Sequence, residues 1–132
     1  MGRLAEQAGM LDFAYTRPWG RSQTSARDQA AFLLEVDRYV PERHRAYVLD
    51  LLTQVVVAQR WGIGAVDTGD WTPHFKGGWG AATGAVDHQV ALLRYPDGTR
   101  VAVAVMVTDS PSHDQGKATL QGVFERLLAD LP

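Results

Sequence analysis

Two periods of apolar residues divide the chain. In the first half they recur at three- and four-residue spacing, which marks helices buried on one face. The opening GRLAEQAGM fits a short helix or a helix end, and residues 11–23, with Pro18 and Gly20 and no sustained period, read as a loop. Thr24 or Ser25 then caps a helix, Asp28 lying three residues after Ser25 as in a weak capping box. Phe32, Leu33, Val36 and Val40 form its stripe. Pro41 ends that helix and can occupy the first position of the next. The next helix places Tyr47, Val48, Leu51, Leu52 and Val55 on one face, with Gly62 and Gly64 expected to stop it. Residues 61–73 are rich in turn formers.

Beyond this point the period shortens. Residues 72–78 read as a strand that runs into glycines, and 85–95 and 99–109 read as two more. The last two are joined by Tyr95-Pro96-Asp97-Gly98-Thr99, where proline presets φ and glycine takes a positive φ. Val101, Val103, Val105 and Val107 share one face of the third strand, and Ala102, Ala104 and Met106 the other. With both faces apolar, both should be covered. SPSHDQG is a loop, after which Leu120, Val123, Phe124, Leu127 and Leu128 mark a terminal amphipathic helix. Helices, then three strands, then a helix imply an α+β fold with an antiparallel sheet.

A length of 132 residues fits one domain, residues 1–132. With 45% hydrophobic and 21% charged residues the composition is that of a globular protein, and a formal charge of -2 argues against nucleic acid as a partner. The absence of cysteine excludes disulfides and thiolate metal sites. The four histidines, His44, His74, His88 and His113, lack metal-ligand spacing, so no cofactor is expected. No apolar run is long enough to span a bilayer, and the first ten residues contain no signal-peptide core, which leaves the compartment open.

HFKGGWG, residues 74–80, concentrates the candidate chemistry. Lys76 is one of only two lysines, the other being Lys117, and two glycines beside it let another chain approach the backbone. A solvated lysine at a glycine-bent strand end accounts for the same residues without function. A structural ion pair with Asp87 or Asp109 is a third reading. Alternation puts His74 on the Lys76 face, where a half-buried strand histidine is the simpler account. His88, between Val86 and Val90, reads as a satisfied sheet residue. Residues 108–114 bring together Ser110, Ser112, His113 and Asp114, but adjacency in a loop does not make a catalytic triad, and a polar turn with a helix cap explains them. Trp19, Trp61 and Trp71 read as packing anchors, and Trp79 also as a groove wall. The basic run at 42–45 reads as a solvated face.

This order of elements, with Thr24-Ser25-Ala26-Arg27-Asp28 at a helix start and Lys76-Gly77-Gly78 on a strand, resembles the C-terminal half of a class A β-lactamase or penicillin-binding-protein-like serine hydrolase. The family's third signature is K-T-G on a sheet strand. The resemblance implies a truncated domain carrying one wall of a site that acts on β-lactams or D-Ala-D-Ala-like peptides through an acyl-serine. It implies that Lys76 places positive charge near the substrate carboxylate and the serine's proton path, and that the Trp79 amide donates to the oxyanion hole. Each such donor can supply about 3 kcal/mol of barrier lowering.

The departures are specific. S-x-x-K would require serine at positions occupied by Pro73 and Asp114, and S-D-N requires an asparagine the chain lacks. In a full-length relative both would precede residue 1. Glu6 is the only glutamate in the 6–14 region where a deacylating glutamate should fall, and Gly77 removes the middle hydroxyl of K-T-G. The expected site residues are therefore Lys76, Gly77, Gly78 and Trp79, with no complete catalytic set. A non-catalytic binding or partner module, or an incomplete reading frame, remain alternatives. Expected partners are the substrate in a full-length relative and an N-terminal half or a second copy.

Overall fold

A computed structural model describes residues 2–80 and 84–131. Helices α1 (Gly2–Gln7), α2 (Ala26–Leu34), α3 (Val36–Tyr39) and α4 (Glu42–Thr53) precede the strands β1 (Thr72–Gly80), β2 (Val86–Arg94) and β3 (Arg100–Val107), and α5 (His113–Leu128) follows. The sheet is antiparallel in the order β1-β2-β3, with Lys76 opposite Val90 and Trp79 opposite Asp87. The α+β architecture agrees with the apolar pattern.

Both sheet faces are covered, as the two apolar faces of β3 require. On one face α5 and the 3-10 turn Gly62–Ala65 pack over Phe75, Ala91, Leu93 and Val105. Leu120 and Phe124 of α5 are fully buried here, each contributing roughly 2–3 kcal/mol of burial. On the other face α2 and α4 pack against the sheet, with Leu33, Val36 and Leu92 at the centre of a smaller core. Alternation thus sends Lys76 and His88 to the α2/α4 face, and Gly77, Trp79, Asp87 and Gln89 to the α5 face.

Several boundaries differ from those the sequence predicts: α5 starts at His113, inside the stretch 110–116 read as a loop, because Ser112 caps it there, and others lie in the first half of the chain. The predicted helix of 25–40 breaks at Glu35 into α2 and α3. Leu33 and Val36 keep the same buried side across the break, so the apolar stripe does not reveal it. Pro41 precedes α4 as its N-cap and is not its first residue. Helix α4 ends at Thr53, well before Gly62, because Val55, Val56 and Val57 form a β-branched run that propagates a helix poorly. The face predicted for α4 is also partly wrong. Leu49 and Leu52 turn inward, while Tyr47 and Leu51 remain 62% and 48% exposed.

Caps behave as the sequence suggests. Ser25 Oγ accepts from the Asp28 amide at the start of α2, and Ser112 Oγ from the Gln115 amide at the start of α5. Asp28 is buried, and one of its carboxylate oxygens accepts from the Asp12 amide at 2.6 Å, which ties the 11–23 loop to α2.

Candidate functional site

β1 is an edge strand, so one side of its backbone faces away from the sheet. In an antiparallel pair, alternate residues direct both backbone polar groups toward the partner strand and the others direct them outward. The Lys76 ammonium donates to the Gly77 carbonyl, so Gly77 is read as an outward residue, and Trp79 shares its parity. Lys76 is exposed and forms no ion pair among the described residues. Its Nζ lies 5.9 Å from the Trp79 ring centroid, within cation–π range. The pairing with Asp87 or Asp109 is not found, since Asp87 lies on the opposite face and is engaged by His113.

Gly77 has a steric reason. A Cβ there would lie 2.5 Å from Trp61 Cη2, so the volume of a Thr or Ser side chain is already taken by an indole. The buried Gln89 side chain holds Trp61 in place, its Oε1 accepting from the Ile63 amide at 2.7 Å and its Nε2 donating to the Trp61 carbonyl at 2.8 Å. Two bonds from one amide thus fix the turn that brings the indole over β1. Trp61 packs edge-on to Trp79, with centroids 5.8 Å apart.

The third member of this cluster is His113, the first residue of α5. Its ring stacks on Trp79 at 5.5 Å and meets Trp61 edge-on at 5.6 Å. Its Nδ1 contacts Asp87 Oδ1 at 2.5 Å, and Asp87 is only 2% exposed. Gly116, one turn further along α5, makes this possible, because any Cβ there would collide with the Asp87 carboxylate.

The sequence-predicted residues separate into groups. Lys76, Gly77, Gly78 and Trp79 lie together on β1. Ser112 caps α5, and His113 turns to Asp87 and away from the neighbouring serines. His74 is buried and its Nδ1 bonds the Leu49 carbonyl at 2.9 Å, in keeping with a packing role. His88 is a correction: it was expected to be satisfied, yet its Nδ1 is buried without a hydrogen-bond partner among the described residues. The 20–24 loop adjoins it in a shared cavity without satisfying it. Trp71 is buried in the core against Tyr95, whereas Trp19, expected as an anchor, is 73% exposed. Among the described residues no cluster of three metal-ligating side chains forms, and no helix is long and apolar enough to cross a membrane. Sequence pattern missed Trp61, Gln89, Asp87 and His113 as one group. The only hint was the alternation that places Gln89 and Asp87 on the Trp79 side of the sheet.

A sequence model described as the Beta-lactamase enzyme family matches residues 2–129. The chain belongs to this family. No curated protein sequence matches it. Solved structures with the same fold include the acyl-enzyme complex of the PBP-A L158E mutant with penicillin G, 20% identical with a TM-score of 0.70. That alignment covers 96% of this chain and 50% of the other. An ancestral class A β-lactamase (GNCA) is 18% identical with a TM-score of 0.77, covering 97% and 53%. The chromosome-encoded β-lactamase of Vibrio parahaemolyticus is 13% identical with a TM-score of 0.79, covering 97% and 52%. The chain therefore spans about half the length of these relatives, and at such identities the likeness establishes the fold.

Proposed function

We propose that this β-lactamase-family chain forms the Lys76-bearing wall of a serine-hydrolase site whose nucleophile lies on polypeptide outside these 132 residues. The observation that carries this reading is Lys76 itself. It is an exposed cation on an edge strand, free of any carboxylate partner among the described residues, beside open space at Gly78. In this role Lys76 supplies positive charge to a bound substrate and to the serine's proton path. The Trp79 amide donates to the oxygen that becomes negative as the acyl carbon turns tetrahedral, where a fixed donor is worth more than in water. The substrate class is a β-lactam or a D-Ala-D-Ala-like peptide. In this reading the complementary half would seat against the exposed Tyr47 and Leu51 on α4, which packs on β1.

Alone, the chain is inert in this chemistry, because no S-x-x-K can be written in it. Intact-mass analysis after incubation with benzylpenicillin should find unmodified protein. A stoichiometric serine-linked adduct would overturn the proposal and direct attention to Ser110 and Ser112.

One observation favours a second reading, a non-catalytic binding or partner module. The volume of the missing hydroxyl at position 77 is filled by Trp61, so this part of the groove wall is aromatic where K-T-G offers a hydroxyl. Lack of acylation after a nucleophile-bearing half is supplied, with ligand binding retained, would favour that module.

A further inference from the structure

A cleft of about 340 Å3 lies at the hairpin end of the sheet, lined by Thr72, His74, Arg94, Tyr95, Pro96 and Gly98. Thr72 is the first residue of β1, so this end of the strand lies roughly 13 Å from Lys76. We propose that the cleft binds a small oxyanion that keeps a proton, of the inorganic phosphate class, with Arg94 as its cation and Thr72 and His74 as its hydrogen-bonding partners. The proposal is independent of the acyl-serine reading.

Three observations carry it. The first is charge. Arg94 lies directly opposite Arg100 on β3 and opposite Thr72 on β1, so all three share the α2/α4 face with His74. Like charges directly opposite each other across strands are destabilising. Asp37 of α3 takes one amino group of Arg100 at 2.6 Å, while the Nε and the other amino nitrogen of that guanidinium are buried without a partner among the described residues. Arg94 has no carboxylate partner among the described residues. The neighbouring acids are engaged or lie elsewhere. Asp97 accepts from the Thr99 amide within the hairpin, and Asp70 lines a separate cavity beside the end of α5. No carboxylate lines the cleft, and an anion there would supply the negative charge that the two arginines lack.

The second is a buried acceptor. His74 is only 7% exposed, and its Nδ1 bonds the Leu49 carbonyl at 2.9 Å. A carbonyl can only accept, so Nδ1 carries the proton of the neutral ring and Nε2 is left with a lone pair. That lone pair would repel a bare anion held by Arg94, whereas hydrogenphosphate can donate its remaining proton to it. The third is rigidity. The Gly98 amide donates to the Tyr95 carbonyl at 3.0 Å, and the Tyr95 ring packs on buried Trp71 with centroids 5.0 Å apart. The walls beside Arg94 are therefore fixed, and the volume is at the small end for ligand pockets, which suits a small ion.

The test uses the chain as it stands. Inorganic phosphate, sulfate and phenyl phosphate are titrated at constant ionic strength while arginine Nε–H and backbone amide signals are followed by NMR. At about pH 7.5 a phosphomonoester, whose second pKa is about 6, has lost its last proton, and inorganic phosphate has not. Phosphate should shift the Arg94 Nε–H and the Thr72 and Tyr95 amides saturably, and should bind severalfold more tightly than sulfate or phenyl phosphate. Arg94→Gln and Thr72→Val, both at exposed positions, should each weaken phosphate binding severalfold. Asp37→Asn, which removes the competing acid from Arg100, should strengthen it. His74 is buried, so its part is read from the choice of anion and not from its replacement. Arg17, exposed on the 11–23 loop, is the control for unspecific anion attraction. No saturable shift, equal shifts at Arg17 and Arg94, sulfate or phenyl phosphate binding as tightly as phosphate, or undiminished binding by Arg94→Gln would each overturn the proposal. Since acylation is not measured, failure here leaves the acyl-serine reading standing, and failure of acylation with a supplied nucleophile leaves this site standing.

Discussion

Gly116 sits inside a sixteen-residue helix where alanine would ordinarily stabilise, yet a methyl group there would collide with the Asp87 carboxylate. Gly116→Ala should therefore lower stability by about 1–3 kcal/mol, the cost of overpacking, despite a helix-propensity gain of about 1 kcal/mol. The same logic holds at Gly77, where Gly77→Thr should cost a similar ~1–3 kcal/mol against Trp61. In a double-mutant cycle with Trp61→Ala, the double variant should lose less than the sum of the two single losses, as measured by urea denaturation. Additive losses would mean that the indole does not fill that space. Near the same helix start, a hydrogen bond from Lys117 Nζ holds the Asp114 carboxyl below its ordinary pKa. A lowered folded-state value gives stability that is present above the ordinary carboxylate range and lost as pH falls through the folded value. Lys117→Ala should return Asp114 toward its ordinary titration in an NMR carboxyl titration, and salt should shrink the difference because both groups meet solvent. An unmoved Asp114 would contradict this.

The elements were legible in the sequence where one period ran uninterrupted. The alternating valines of β3, the Pro-Asp-Gly hairpin and the Leu120/Phe124 stripe of α5 each gave both the element and its buried face. The end of α4 was not legible, because Val55, Val56 and Val57 continue an apolar pattern while disfavouring a helix, and pattern and propensity then point to different boundaries. The Asp87–His113 pair spans 26 residues and depends on how α5 lies across the sheet, which no local pattern reveals. On α4, Tyr47 and Leu51 look like core by spacing yet face outward. If they form the seat of a complementary half, Tyr47→Lys with Leu51→Lys should reduce self-association in sedimentation velocity. The change in stability should stay within roughly 0.5 kcal/mol per site, as for surface positions away from packing. Unchanged association would remove this face from the account.

At the scale of the whole molecule, a three-stranded sheet, well packed on both faces and with β1 and β3 at its edges among the described residues, carries a lysine that no described carboxylate pairs. Such a chain should melt at modest temperature and tend to associate. A monodisperse monomer with a cooperative melt above about 60 °C would argue for a self-sufficient fold. The most direct test of the central claim joins this chain to a half bearing S-x-x-K and S-D-N and measures acylation by fluorescent penicillin, with and without Lys76→Ala, alongside each protein's thermal melt. A lysine that serves the reaction and not the fold predicts a severe loss of acylation rate with the melt nearly unchanged. Acylation at an unchanged rate in the alanine variant would contradict the claim that HFKGGWG is a functional wall.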